Sequence, residues 1–311
     1  MGKMKKKSRT ALYVMSTGIV MLLLAPVKAQ AMVTDVQEGI KEAARIRQDR
    51  TIKGLYPHHY NWQTPNTSNV KISNPSVKLD GTPAFEPGEV MYSGQDEFVN
   101  NTNREQTLYT PEFKYVTTES TTTTVTEGMA TGFKFSVDFK VKIPFVETNH
   151  TIEVSGEYTL DETKTNTSIE TIEHTAPSQM IKIKPGETIK VTAFFQKAKV
   201  YGNTILSADV AGMIGYISDY DGANGRPVTY TYWDYFGNAL YSAKSSAHSA
   251  KFQNWILGNN GPASVTGKGT FSKDVGTNFE LVVETVNNKG QKDDPKSQTI
   301  KVNSNRRVIE E

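Results

Sequence analysis

Between positions 133 and 160 the chain alternates so strictly that few folds can accept it. Phe133, Phe135, Val137, Phe139, Val141 and Ile143 take the odd positions, with Lys134, Ser136, Asp138, Lys140 and Lys142 between them. A period of two puts one set on each face of a β-strand, here one face apolar and one wet. After Pro144, Phe145 and Val146 the alternation resumes with its parity reversed. His150, Ile152, Val154, Gly156, Tyr158 and Leu160 now share one side, and Thr151, Glu153, Ser155, Glu157 and Thr159 the other. A hairpin joining the two runs needs an even loop, and a four-residue turn over 144–147 meets that condition. Each run is eleven residues long, and a tilted strand needs about 9–11 to cross a bilayer.

Soluble antiparallel sheets also alternate, with one face on a core. Two details favour a membrane-spanning hairpin. The wet face carries charge deep into both strands, and the turn presents Phe145 and Val146 where polar residues normally gather. On this reading Phe133, Phe135, Val137, Phe139, Val141, Ile143, Ile152, Val154, Tyr158 and Leu160 meet lipid. Pro144, Phe145 and Val146 form the tip, and Lys134, Asp138, Lys140, Lys142, Glu153 and Glu157 line a wet lumen. An open sheet edge in hydrocarbon leaves backbone groups unsatisfied, so such a hairpin must join a closed barrel. The smallest barrels have about 8 strands, so at least about four chains must assemble. Before assembly the apolar face must lie folded against the body, because an isolated hairpin is unstable.

Lys3, Lys5, Lys6, Lys7 and Arg9 precede an apolar run from Ala11 to Ala25, and Ala29-Gln30-Ala31 offers small residues at cleavage positions. This is the pattern of a secretory signal peptide over residues 1–31. Of the 35 basic residues it removes six, leaving 29 against 33 acidic ones, a net charge of about −4. That balance takes away the support for a nucleic-acid partner. An exported chain with no cysteine is unbraced by disulfides, which suits bacterial secretion.

From Thr34 to Arg50 the apolar spacing is helical, with Val36, Ile40, Ala43, Ala44 and Ile46 on one face and Thr34 or Asp35 as N-cap. Arg45, Arg47, Arg50 and Lys53 crowd its end. Cations are favoured at a helix C-terminus, and the same four residues are candidate sites for an activating protease. Tyr56, Pro57, His58, His59, Tyr60 and Trp62 follow as an aromatic knot. Tyr56, Tyr60 and Trp62 are candidate receptor contacts, since exposed aromatics anchor binding surfaces; a buried cluster is the other reading. The adjacent histidines have no third ligand at metal-binding spacing, so no metal or other cofactor is expected.

Asp80-Gly81 reads as a turn. Two Thr-rich tracts, 117–126 and 163–175, flank the alternating hairpin, and their β-branched density points to long strands. Pro185-Gly186 is a further turn, Asp219–Gly225 a turn without the twelfth-position ligand of a calcium loop, and Gly267-Lys268-Gly269 an isolated bend. Tyr230, Tyr232, Trp233, Tyr235, Phe236 and Tyr241 form a second aromatic cluster, and 271–286 alternates again before a polar tail from 287. No Ser/His/Asp set, G-x-S-x-G, Walker loop or H-E-x-x-H is present, so no residue speaks for an enzyme.

The segments 74–81 (NPSVKLDG), 144–148 (PFVET), 177–179 (PSQ) and 267–272 (GKGTFS) occur in the order found in clostridial epsilon toxin and the mosquitocidal toxins. Over roughly 56–302 the chain resembles that family of aerolysin-like β-pore-forming toxins. The resemblance implies an elongated, mainly β protein of long antiparallel strands with an N-terminal helix and an amphipathic insertion hairpin. It also implies binding to a cell-surface receptor on the target membrane, proteolytic activation and self-assembly into a heptameric barrel with two strands from each subunit. Tyr56-Pro57 and Trp62 stand where the family has receptor-binding aromatics, whereas His58, His59 and Tyr60 do not match it. The tail after Val302 is shorter than the family's. The expected division is a receptor-binding head (32–75 and roughly 210–260), a central Thr/Ser-rich β-domain (76–128 and 161–209), the hairpin (129–160), and C-terminal strands with the tail (261–311). The competing reading is a secreted carbohydrate-binding β-sandwich with its site at 230–241.

Overall fold

The computed structural model describes residues 32–131, 136–145, 150–258, 262–286 and 297–309; the expected signal segment lies outside them. Strand β1 (Met32–Asp35) leads directly into helix α1 (Val36–Arg47). Asp35 is the cap, its carboxylate accepting the Glu38 amide at 2.8 Å, and Val36, Ile40, Ala43, Ala44 and Ile46 are buried as the spacing predicted. The helix continues through a π turn (Gln48–Ile52) into α2 (Lys53–Leu55), followed by β2 (His59–Tyr60). Next come β3 (Lys71–Val99), β4 (Gln106–Tyr109), β5 (Phe113–Ala130), β6 (Ser136–Phe145) and β7 (His150–Thr159). Then β8 (Thr165–Ala176), β9 (Met180–Ile183), β10 (Thr188–Ala211), β11 (Met213–Asp221) and β12 (Pro227–Tyr235) precede α3 (Phe236–Lys244). The chain closes with β13 (Trp255–Leu257), β14 (Ala263–Val286), β15 (Ser297–Asn303) and β16 (Asn305–Val308). No helix among the described residues is long and apolar enough to cross a membrane.

One large sheet carries the fold, in the order β16-β8-β5-β14-β10-β3, with β1, β13 and β15 attached. The threonine tracts are long strands and pair with each other, Phe113–Thr124 against Thr165–Ala176. Their hydroxyls meet across the ladder, Thr122 with Thr167 at 3.2 Å and Thr124 with Thr165 at 3.0 Å. Such cross-strand pairs hold a face that has little apolar surface to bury. Strands β3 and β10 run unbroken across the 75/76 and 209/210 divisions drawn on the sequence, and β14 of the C-terminal division pairs with β10 in the same ladder. The core forms two clusters. One joins α1, α3, Trp255, β14 and the 136–160 hairpin; the other lies around Phe113, Phe195, Phe279 and Leu281.

Three sequence expectations change. Asp80-Gly81 does not reverse the chain: residues 81–83 bulge opposite Gly202, and pairing with β10 resumes on both sides. Within the polar tail, the described residues form two strands that the sequence did not show: β15 adds to β14 and β16 to β8. Gly267-Lys268-Gly269 is a stretch of β14 and not a bend. A Cβ on Gly269 would stand 2.7 Å from the Tyr158 ring, so the missing side chain is what lets Tyr158 seat there.

Candidate functional site

The alternating runs pair as the antiparallel hairpin β6–β7, with Val137 opposite Tyr158 and Ile143 opposite Ile152. The ladder runs on through Pro144–Thr151 and Phe145–His150, so the four-residue link is 146–149 and not 144–147. The link stays even, and the parity argument survives the shift. Phe133, Lys134, Phe135 and Val146 lie outside the described residues, as do the side chains of Pro144 and Phe145.

Phe139, Ile143, Ile152, Val154, Tyr158 and Leu160 are buried, and Val137 and Val141 are half-buried against the same core. Phe139 packs on Phe271 of β14 at 5.3 Å between ring centres. Tyr158 donates to the Thr270 carbonyl at 2.9 Å and accepts from the Thr204 hydroxyl at 3.1 Å. The opposite face is solvent-exposed at Asp138, Lys140, Lys142, Glu153 and Glu157, with Lys140 and Glu153 paired at 2.8 Å.

How the hairpin is attached matters more than how much it buries. Among the described residues, its two strands pair only with each other. The outer-edge carbonyls of β7 are taken by side chains: Glu157 by Thr123 (2.6 Å) and Asn166 (3.0 Å), Glu153 by Lys273 (3.1 Å). At its end the Met129 amide donates to the Leu160 carbonyl at 2.7 Å. The hairpin is therefore seated by apolar contact and a few clips, with no strand ladder to unzip. Sequence periodicity cannot show this, because Lys273, Thr123 and Asn166 come from three distant strands.

In the head, β2, β11 and β12 form a three-stranded sheet. It merges the two aromatic groups that the sequence shows separately. His59 stacks with Tyr220 at 5.2 Å and with Trp62 at 6.0 Å, and Tyr56 lies 6.1 Å from Tyr230 and 5.4 Å from Tyr232. His59, unmatched in the family comparison above, is the hub, and its Nδ1 contacts the Ser218 hydroxyl at 2.8 Å. Tyr60 points to the other face of the sheet, donating to Asp221 at 2.5 Å, which raises the phenol's pKa. Tyr56 and Trp62 are thus together and half-buried, while Tyr60 stands apart. No group of three His, Cys, Asp or Glu placed to hold a metal occurs among the described residues.

The four basic residues at the end of α1 are engaged. Arg47 donates to Asp234 at 2.9 Å and to the Ser242 hydroxyl at 3.3 Å, and Arg50 to the Ser242 carbonyl at 3.0 Å. Arg45 pairs with Glu38 at 3.4 Å, and Lys53 with Asp49 at 2.6 Å. All four sit in continuous helix, so a protease must unwind the segment and free Arg47 and Arg50 before it can cut. Asp234→Ala, which strands the largely buried Arg47 charge, is expected to cost about 3 kcal/mol in a denaturant titration. A loss below about 0.5 kcal/mol, the scale of an ordinary surface substitution, would show that this pair does not hold α1 to β12.

Comparison with known proteins follows from this geometry. The profile of the family described as Clostridium epsilon toxin ETX/Bacillus mosquitocidal toxin MTX2 matches residues 59–294. The Mpp75Aa1.1 β-pore-forming protein from Brevibacillus laterosporus is 26% identical, with a TM-score of 0.70 over 89% of this chain and 98% of that one. The Cry23Aa1 structure, from a binary complex with Cry37Aa1, is 21% identical with a TM-score of 0.55, covering 84% and 98%. A non-toxic crystal protein from Bacillus thuringiensis is 14% identical with a TM-score of 0.54, covering 81% and 98%. These last two share the fold alone. A search of curated proteins finds no match.

Proposed function

This chain belongs to the Clostridium epsilon toxin ETX/Bacillus mosquitocidal toxin MTX2 family, and we propose that it is a secreted β-pore-forming toxin acting by assembly on a target-cell membrane. The head binds a surface receptor, an activating protease trims the chain, and copies gather into a homo-oligomer, a heptamer in the family's pattern. Each copy then releases β6–β7, and the released hairpins close into a barrel. It is not an enzyme, and it needs neither cofactor nor nucleic acid. The observation that carries this reading is the hairpin of ten-residue strands, long enough to span and seated on the body only by side chains and a terminal amide.

The energetics favour release without refolding of the body. Burying a large apolar side chain contributes about 1.5–3 kcal/mol. In a bilayer Phe139, Ile143, Ile152, Val154, Tyr158 and Leu160 exchange one apolar surrounding for another, so most of that contribution carries over. The charged face moves from solvent to a water-filled lumen. What release must break is the set of clips.

Dye release from liposomes, before and after limited trypsin digestion, tests the function. The digest is expected to leak the vesicles and the uncut chain to leak them more slowly. Sugar-dependent binding with no leakage at any dose would replace this reading with the carbohydrate-binding one. The shared fold of a non-toxic crystal protein makes that control necessary, since fold alone does not carry function. For the head, Tyr56→Ala with Trp62→Ala is expected to weaken cell binding by about 2 kcal/mol or more per residue. Leakage of receptor-free liposomes at high protein concentration should persist. Unchanged cell binding by the folded double variant would take these aromatics out of the receptor contact.

A further inference from the structure

Beneath the hairpin lies a buried charged cluster that neither the lipid-facing set nor the head uses. Glu119 of β5 and His174 of β8 are 2% and 1% exposed. One Glu119 oxygen accepts from His174 Nε2 at 3.0 Å and from the Gly276 amide at 2.9 Å; the other accepts from Arg306 of β16 at 3.0 Å. Lys273 of β14, 5% exposed, stands 3.9 Å from the second oxygen. Burial alone would raise the Glu119 pKa, but its His174, Gly276 and Arg306 partners hold it below the ordinary carboxylate range. Burial lowers the Lys273 pKa, against the pull of Glu119.

The Lys273 ammonium has one further partner, and it belongs to the hairpin: the Glu153 carbonyl, at 3.1 Å. A pocket of about 190 Å³ opens there, lined by Thr151 and Glu153 of β7 together with Glu119, His174, Lys273 and Arg306. Farther along, Val154 and Tyr158 of β7 and Leu160 just beyond it are fully buried. Beyond the apolar contact of Ile152, the tip-proximal half of the strand is held by one charge-assisted hydrogen bond, and such bonds are about twice as strong as neutral ones.

We propose that Lys273, aimed by Glu119, is the latch that keeps the hairpin seated until assembly. Glu119 is a positioning residue: it never touches β7, and it fixes where the Lys273 ammonium can sit. The latch rests on the reading of β6–β7 as the deployed hairpin. Its partners are well placed for the role. When Lys273 swings away, Glu119 keeps three donors, so opening leaves no buried carboxylate without a partner. At this end of β7 the polar cost of release thus falls on the Lys273 to Glu153 bond.

Hydrogen exchange of the full chain, read separately over 150–160 and over β10 with β14, tests this. In Lys273→Met the β7 amides are expected to exchange about ten- to hundredfold faster, the range for a hydrogen bond to a charged group, with β10 and β14 unchanged. Glu119→Gln should loosen β7 as well. Combined with Lys273→Met it should add little to the β7 rate, because both act through one bond. Unchanged β7 exchange, or acceleration spread evenly over β7, β10 and β14, overturns the latch. If Lys273→Met does not fold, the same comparison on Lys273→Gln decides. Liposome leakage is measured in parallel. Faster β7 exchange with no leakage from any form overturns the pore reading while leaving the latch in place.

Discussion

Oxidised Thr123→Cys/Gly156→Cys protein is expected to release no dye from liposomes, and reductant is expected to restore leakage to the level of the reduced variant. A Cβ built on Gly156 would stand 3.9 Å from the Thr123 Cβ, within the roughly 3.5–4.5 Å that a disulfide spans. The same Cβ would lie 2.7 Å from the Thr123 methyl, a clash that Thr123→Cys removes. The chain has no cysteine of its own, so the staple has no competitor. It ties β7 to β5, and a tied hairpin cannot enter a barrel. The effect should be all-or-none, because every subunit must contribute its strands. Losing the Thr123 to Glu157 bond costs about 1 kcal/mol, so the reduced variant should leak at least as readily as the parent. Leakage by the oxidised form at the parent's rate would mean that β6–β7 stays on the body and that some other segment makes the pore.

Val137→Lys is expected to abolish pores while leaving a soluble, folded chain. The two outcomes separate because of where Val137 sits. It is half-buried in the stowed hairpin, so a lysine there can run its stem along the core and hold its charge in water. In a barrel the same position faces hydrocarbon, where the charge costs about 2–4 kcal/mol at the midplane for each subunit. Val154, wholly buried, would be a poor choice, because a charge there would unfold the chain before the barrel was tested. Ser136→Lys, one position away on the exposed face, should leave assembly intact and change ion selectivity. Equal damage from both substitutions would show that the two faces of this strand are not lipid and lumen.

Much of the fold was legible because it rests on local rules. Alternation predicted the strands of the hairpin, and parity predicted an even link even though the turn lay two residues further on. Asp35 as a cap and the buried face of α1 followed from helical spacing, and the threonine tracts from β-branched density. The misreadings share a cause. Asp80-Gly81 and Gly267–Gly269 carry turn residues, yet in the fold they are a bulge and a close approach. Glycine marks an unusual backbone or a near neighbour, and only the neighbouring strand says which. The tail read as polar because β15 and β16 are short strands with little apolar content, recruited by the edges that β14 and β8 leave open.

For the functional residues the division is similar. Which side chains of 136–160 form the apolar face was a property of the sequence, since a strand's geometry allows no other grouping. That they rest on Phe271 and Val275 in the stowed chain, and by what means, belongs to the tertiary structure alone. Lys273 and Glu119 look like surface charges in the sequence, one in a lysine-bearing strand and one in a threonine tract. Only the approach of β5, β8, β14 and β16 beneath β7 buries them together. Arg47 likewise reads as one of four interchangeable cations until β12 brings up Asp234 and α3 brings up Ser242. Periodicity reports which face a residue takes, and that was enough to recognise a hairpin with one apolar and one wet face. It carries no information about which other strands come to lie against the hairpin, and the contacts they make, from Thr123, Asn166 and Lys273, are what hold it down.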